Sequence, residues 1–134
     1  MHYSILVDDH DYRTEYKILV GGVIVYRPEN FIKLNGYSNV FWGWGAEDDD
    51  MYRRMQHKTA LGFDRPKNNV KYTMLKHTAR WKNPNRVRLL GDKRDFKYDG
   101  LSNVNYTINS IIKYRMHTHL LIESGLPPSQ LVKT

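Results

Sequence analysis

Asn35-Gly36-Tyr37-Ser38-Asn39-Val40-Phe41-Trp42-Gly43-Trp44-Gly45-Ala46-Glu47-Asp48-Asp49-Asp50-Met51-Tyr52-Arg53-Arg54-Met55 sets a glycine-flanked tryptophan directly before four consecutive carboxylates. An indole face packs on the apolar C–H face of a pyranose, and carboxylates accept protons from sugar hydroxyls. Glycines on both sides give the ring freedom to swing over a ligand. Residue types alone leave a second reading open. Trp42 and Trp44 would also serve as core aromatics, and Glu47 to Asp50 as the solvated first turn of a helix, where negative charge complements the macrodipole. Either way the acids open a helix over Glu47 to Gln56, basic at Arg53-Arg54, with Met51 and Met55 four apart on one face. Asp50 has the weakest claim on a ligand and suits a capping role.

Working outward, Ser4 to Val7 reads as a short strand entering a turn at Asp8-Asp9-His10-Asp11. Lys17 to Tyr26 reads as a buried strand split by Gly21-Gly22, with Arg27-Pro28-Glu29-Asn30 as punctuation and a short helical turn from Phe31 toward Gly36. Lys71 to Leu75 reads as a strand that delivers Met74 and His77 to its end. Thr78 to Asp95 is polar, basic and interrupted by Pro84, a loop with a helical piece over Asn85 to Leu90. Asn103 to Ile112 and Leu120 to Ile122 read as strands before a Pro127-Pro128 tail. Mixed strands and helices argue an α/β fold.

A chain of 134 residues supports one modest domain. It has no cysteine, which removes disulfides and thiolate metal sites, and no apolar run of membrane-spanning length or signal-peptide pattern. Asn105-Tyr106-Thr107 is a glycosylation sequon. The net charge of +7 is uneven: residues 1 to 50 carry four basic against nine acidic side chains, residues 53 to 98 fourteen against three. Scattered Tyr72, Trp81, Phe96 and Tyr98 do not make the interleaved aromatic and basic face of a nucleic-acid binder, so no nucleic-acid partner is expected. A solvated surface or a positive surround for an anionic small molecule remains.

The central string resembles the signature of the β-1,4-galactosyltransferase family, Trp-Gly-Trp-Gly-Gly-Glu-Asp-Asp-Asp, departing only at Ala46. Gly21-Gly22-Val23, Phe31 and Asn35-Gly36 continue the resemblance upstream. Met74-Leu75-Lys76-His77, Asn83-Pro84-Asn85-Arg86 and Asp99-Gly100-Leu101-Ser102 continue it downstream. It runs from His2 to about Leu121. The resemblance implies the carboxy-terminal portion of a glycosyltransferase A fold, a Rossmann-like nucleotide-sugar binder, with residues 1–134 a partial catalytic domain whose amino-terminal nucleotide-binding half is missing. Members of the family are type II Golgi membrane proteins, so a Golgi lumenal setting is implied.

By the same resemblance the chain is an inverting, metal-dependent transferase. It would move galactose or N-acetylgalactosamine from its uridine diphosphate carrier to the 4-hydroxyl of a terminal N-acetylglucosamine on a glycoprotein or glycolipid. Asp48 is then the catalytic base. Ala46, Glu47, Asp48, Asp49, Arg86, Val87 and Leu90 contact the acceptor, with Val87 and Leu90 standing where the family has a phenylalanine and an isoleucine. Leu19, Gly21, Gly22, Trp44, His77, Thr78 and Ala79 contact the donor, and Met74 with His77 binds Mn2+. Asp9-His10-Asp11 imitates the family's other metal motif but lies much closer to Gly21 than the family's spacing. Leu19 replaces the tyrosine of galactose-specific members with the aliphatic residue of those that transfer N-acetylgalactosamine. The loop from Leu75 to Asp92 corresponds to one that closes over donor in the family, and is about three residues shorter between His77 and Asn83. Two alternatives accompany this reading. Tyr16-Lys17 and Val20-Gly21-Gly22 echo a branch that galactosylates xylose on proteoglycan linkers, and an inactive sugar-binding remnant would carry the same motifs.

Overall fold

The computed structural model describes residues 1–3, 6–13, 16–59, 63–66, 70–91 and 93–127. In chain order these form β1 (Leu6–Val7), a 3-10 turn (Asp8–His10), α1 (Pro28–Lys33), α2 (Glu47–Thr59), β2 (Lys71–Tyr72), α3 (Arg86–Gly91), β3 (Thr107–Lys113) and β4 (Thr118–Glu123). Ser4 and Ile5 of the expected first strand, Asp92 of the loop and Pro128 of the tail lie outside the described residues. No helix among the described residues is long and apolar enough to cross a membrane.

β1 and β2 are parallel, Leu6 opposite Lys71 and Val7 opposite Tyr72. The pairing carries the 3-10 turn and the residues after β2 to the same edge, where the Met74 N–H donates to Asp8 Oδ1 at 2.8 Å. α1 begins at a proline, whose fixed φ suits the first helical position. It ends where Asn35 and Gly36 both take left-handed φ, 60° and 65°. α2 starts at the acids as its charge pattern requires, and turns Met51 and Met55 inward onto Val20 and Leu34. Tyr26, Phe31, Tyr37, Tyr52 and Phe63 pack around these four.

Lys17 to Tyr26 is not the buried strand its composition predicts. Val20 alone is buried, while Ile18, Val23 and Val25 are exposed. Gly22 turns to φ 75°, and among the described residues the segment's strand-like pairing is Tyr3 N–H to Val23 O and Val25 N–H to Met1 O, both 2.8 Å, around the isolated bridge His2–Ile24. A β-branched run becomes a strand only with a ladder of successive pairs, which one bridge does not supply.

Asp50 does not cap α2 through its side chain. It is buried, and its Oδ2 accepts from Arg54 Nε at 2.9 Å while Oδ1 accepts from Arg94. Arg54 Nη2 and Arg94 Nη1 both reach Asp99 Oδ2, at 2.9 and 2.8 Å, closing a ring of two acids and two guanidiniums. The ring ties α2 to residues 94–99, and each charge in it is answered, as burial demands. Next to it, Asn35 Nδ2 donates to the carbonyls of Phe96 and Lys97 and to Ser102 Oγ, and its Oδ1 accepts from Ser102 N–H. Gly100, at φ 145°, leaves no room for a Cβ because the Asn35 carbonyl occupies that place.

β3 and β4 form an antiparallel hairpin with an irregularity between Ile108 and Ser110. Ile108, Ile111, Ile112, Leu120, Leu121 and Ile122 are all exposed on it, and no third strand joins it among the described residues.

Candidate active site

The glycines of the tryptophan loop act where the backbone needs them. Gly43 and Gly45 take φ 80° and 111°, and Ala46 follows at 74°, so the chain reverses and enters α2 with Glu47, Asp48 and Asp49 in its first turn. There the helix amides and macrodipole favour negative charge. A cleft of about 560 Å³ opens in front of this turn. It is lined by Leu19, Gly21 and Gly22, by Trp44, Gly45, Ala46 and the three acids, by Arg86, Val87 and Leu90 of α3, and by Met74 just after β2. The donor-side and acceptor-side residues expected from sequence therefore meet in one space, except for His77, Thr78 and Ala79.

Asp48 is partly buried in the cleft. Its Oδ1 accepts the Asp49 N–H at 2.9 Å, and its Oδ2 stands 2.5 Å from where a Cβ on Gly21 would be. Only a glycine allows that approach. Asp49 Oδ1 accepts the Tyr16 hydroxyl at 3.1 Å. Burial, then the Asp48 charge, push the Asp49 carboxyl above the ordinary carboxylate range, partly offset by Tyr16 and Arg53. Glu47 is exposed at the rim.

The two tryptophans divide the two readings of their type. Trp42 is partly buried, its Nε1–H on Asn39 O at 3.1 Å, whereas Trp44 is 54% exposed in the cleft wall. Trp44 is stitched to the polar loop: its N–H donates to Trp81 O at 3.0 Å and its carbonyl accepts from Asn83 N–H at 3.3 Å. Lys82 Nζ lies 5.2 Å and Arg86 Cζ 6.0 Å from its ring, within cation–π range. The Trp81 ring lies against Gly43, and Arg86 Cδ against Gly45. Arg53 donates to Leu90 O and so fixes α3 over α2.

Met74 borders a second cavity of about 490 Å³ lined by Asp8, Asp9, Leu75, Lys76 and His77. His77 is exposed and donates from Nδ1 to Leu75 O at 2.8 Å. Thr78 and Ala79 are exposed and line neither cavity. In Asp9-His10-Asp11, His10 faces the first cleft, Asp9 the second, and Asp11 closes the 3-10 turn at φ 51°, so the three do not converge. Among the described residues no three His, Cys, Asp or Glu side chains group to hold a metal ion, but Met74 and His77 line one cavity with Asp8 and Asp9, whose carboxylates offer the oxygen a hard cation prefers.

Sequence reasoning did not assign Val7, His10, Tyr16, Tyr72 and Thr73 to the site, and all five line the cleft. Two of them carried a signal, Tyr16 in the Tyr16-Lys17 pair and His10 in Asp9-His10-Asp11. The Tyr16 bond to Asp49 spans 33 positions, which no local pattern displays.

Residues 1–78 match the family model described as the N-terminal domain of galactosyltransferase. The chain is 31% identical over 131 residues to β-1,4-galactosyltransferase 1 of Mus musculus, covering 94% of this chain and 33% of that protein. It is 39% identical over 118 residues to β-1,4-galactosyltransferase 4 of Mus musculus, covering 84% and 34%. It thus spans about a third of the length of these relatives. Among solved structures, the catalytic domain of Drosophila β-1,4-galactosyltransferase 7 in complex with xylobiose is similar at a TM-score of 0.63 and 28% identity, over 87% of this chain and 53% of that one. A mutant of the same enzyme in complex with manganese, UDP-Gal and xylobiose gives 0.64 at 28%, with the same coverage. The architecture is that of the α/β glycosyltransferase A fold.

Proposed function

The chain belongs to the β-1,4-galactosyltransferase family, and from this we propose that its cleft serves an inverting transfer of a hexose from a uridine diphosphate carrier to a sugar hydroxyl. The observation that carries the reading is Asp48, a carboxylate held against the Gly21 backbone in a cleft that also contains Leu19, Trp44 and Arg86. In the transfer, Asp48 takes the proton of the acceptor's 4-hydroxyl as that oxygen bonds to the anomeric carbon. The bond from that carbon to the diphosphate oxygen breaks, and its electron pair leaves with the nucleotide. Trp44 offers its face to a pyranose, Glu47 and Asp49 accept from acceptor hydroxyls, and Arg86, Val87 and Leu90 close over the acceptor. Lys82 and Arg86, beside Trp44, add positive charge near an anionic donor.

Manganese in the neighbour's complex supports a metal-dependent reaction, for which Met74 and His77 would be two of the ligands, the ion supplying positive charge to the departing diphosphate when bound. Galactose is the donor sugar the relatives' names support. Leu19 in the cleft wall adds an apolar surface on which an N-acetyl group would pack, so N-acetylgalactosamine is proposed as a second, favoured donor. N-acetylglucosamine is the proposed acceptor, with Golgi glycoproteins or glycolipids as its source. Xylose is the alternative, favoured by the xylobiose of the neighbours and by Tyr16 in the cleft. The same reading makes residues 1–134 part of a larger catalytic domain.

Asp48→Asn tests the base. The amide keeps the shape and cannot take the proton, so turnover should fall roughly 100-fold or more with donor binding nearly unchanged. Turnover within a few-fold of the parent, in a radiolabelled sugar transfer assay, would remove Asp48 from the role.

A further inference from the structure

His2 bonds the Gly21 backbone and is not among the residues that line the cleft. It is fully buried, its backbone N–H donates to Asp64 O at 2.9 Å, and its ring meets Phe63 edge-on with centroids 6.2 Å apart. Nε2 lies 2.7 Å from the Gly21 carbonyl oxygen. A carbonyl only accepts, so Nε2 carries a proton, and in the neutral ring Nδ1 is then a bare lone pair. That Nδ1 is buried with no hydrogen-bond partner among the described residues. Against the same glycine lies Asp48 Oδ2. One residue of backbone thus separates a buried imidazole from the carboxylate of the cleft.

A histidine that only filled space here would be a poor choice. Leaving Nδ1 unsatisfied carries a desolvation cost that an apolar ring of similar size would avoid. The bond to Gly21 is what the imidazole provides in return. Its effect falls on a Gly-Gly pair, the most permissive backbone available, with Gly22 already at φ 75°. Arg65 extends the support along the same segment, its Nη2 donating to Lys17 O at 3.0 Å and Leu19 O at 2.9 Å.

We infer that His2 is a positioning residue for the transfer: its Nε2–H bond to the Gly21 carbonyl fixes the Gly21–Gly22 turn, and with it the gap between the Leu19 wall and Asp48 where acceptor hydroxyl and anomeric carbon meet. This rests on Asp48 as the base. Burial is the largest influence on the ring and holds its pKa below the ordinary imidazole range. The Gly21 bond opposes that shift, Arg65 and the amino terminus add to it, and Asp48 opposes it. The surroundings therefore favour the neutral ring, whose single proton the Gly21 carbonyl draws to Nε2.

The test compares the full chain with His2→Phe, which keeps the packing and loses the donor, and with His2→Gln, whose amide nitrogen replaces Nε2. Transfer from UDP-galactose to an N-acetylglucosamine acceptor is followed alongside the amide 1H–15N shifts of Gly21 and Gly22. Because misplacing reacting groups by about 1 Å costs up to roughly 100-fold, kcat of His2→Phe should fall at least tenfold with KM changed less than about threefold. His2→Gln should recover most of it, and the two amide shifts should move in the first variant and return in the second. Unchanged turnover in His2→Phe, or no recovery in His2→Gln, overturns the inference. If no variant and no parent transfers sugar, the functional reading fails, and the amide shifts alone decide the role of His2: shifts that stay put overturn it. Should His2→Phe not fold, His2→Asn takes its place with the same expected loss, its amide stopping short of Gly21.

Discussion

Ala46 holds a left-handed backbone at φ 74°, where the related signature has glycine. An L-residue with a Cβ in that conformation pays roughly 1–2 kcal/mol, because Cβ crowds the next carbonyl oxygen. Glycine removes that crowding but gains freedom in the unfolded chain worth roughly 0.4–1 kcal/mol. Ala46→Gly should therefore stabilise the chain by about 0.5–1 kcal/mol, read as a higher urea midpoint at unchanged slope. A lower midpoint would mean that the methyl, which lines the cleft, packs better than the backbone sits. Single residues were the scale best read from sequence: Asp48, Leu19, Gly21, Trp44 and Arg86 meet in one cleft. His2 and Tyr16 were unassigned because their roles exist only across 19 and 33 positions of chain.

At the scale of elements, the tryptophan loop and the polar loop are joined by backbone bonds at Trp44, Trp81 and Asn83, and the Trp81 ring rests on Gly43. A Cβ on Gly43 would meet that ring at 2.9 Å on a backbone already at φ 80°. Gly43→Ala should pry the loops apart and speed tryptic cleavage after Lys82 and Arg86 several-fold; cleavage at the parent's rate would show that the two loops do not hold each other. Adding UDP-sugar and manganese should slow cleavage in the parent more than in the variant. The helices were legible because they carry local instructions: acids at the start of α2, Met51 and Met55 four apart, Pro28 opening α1. The Lys17 to Tyr26 strand was misread because β-rich composition says nothing about who pairs with it. The ring of Asp50, Arg54, Arg94 and Asp99 went unread: Asp50 was expected to cap, its i,i+4 partner Arg54 was not paired with it, and the other two members come from more than 40 positions away.

For the whole molecule, acid should act in two stages. His2 has its pKa lowered by burial, so the folded chain binds fewer protons than the unfolded one once the pH drops below about 6.5, and stability declines from there. Burial pushes Asp99 up, but the Ser38 hydroxyl, the Asn39 N–H and the charges of Arg54 and Arg94 outweigh it and hold it below the ordinary range. Its contribution is complete above about pH 3.9 and is lost as pH falls through the lower folded value. Asp49, raised by burial and Asp48, works weakly the other way at moderately acid pH. Urea midpoints from pH 8 to 3 should show both declines, and His2→Gln should erase the upper one alone; a single decline below pH 4 in the parent would contradict the His2 assignment. A last consequence follows from the clasp between Asn35 and Gly100. The Asn35 carbonyl fills the space a side chain at 100 would need, and the Asn35 amide holds three acceptors at once on a left-handed backbone. Neither position can drift without the other, and neither touches the cleft. Over evolutionary time, then, a lineage could exchange its sugar or lose its chemistry altogether and still carry this asparagine and glycine, so descent would outlast activity in the sequence.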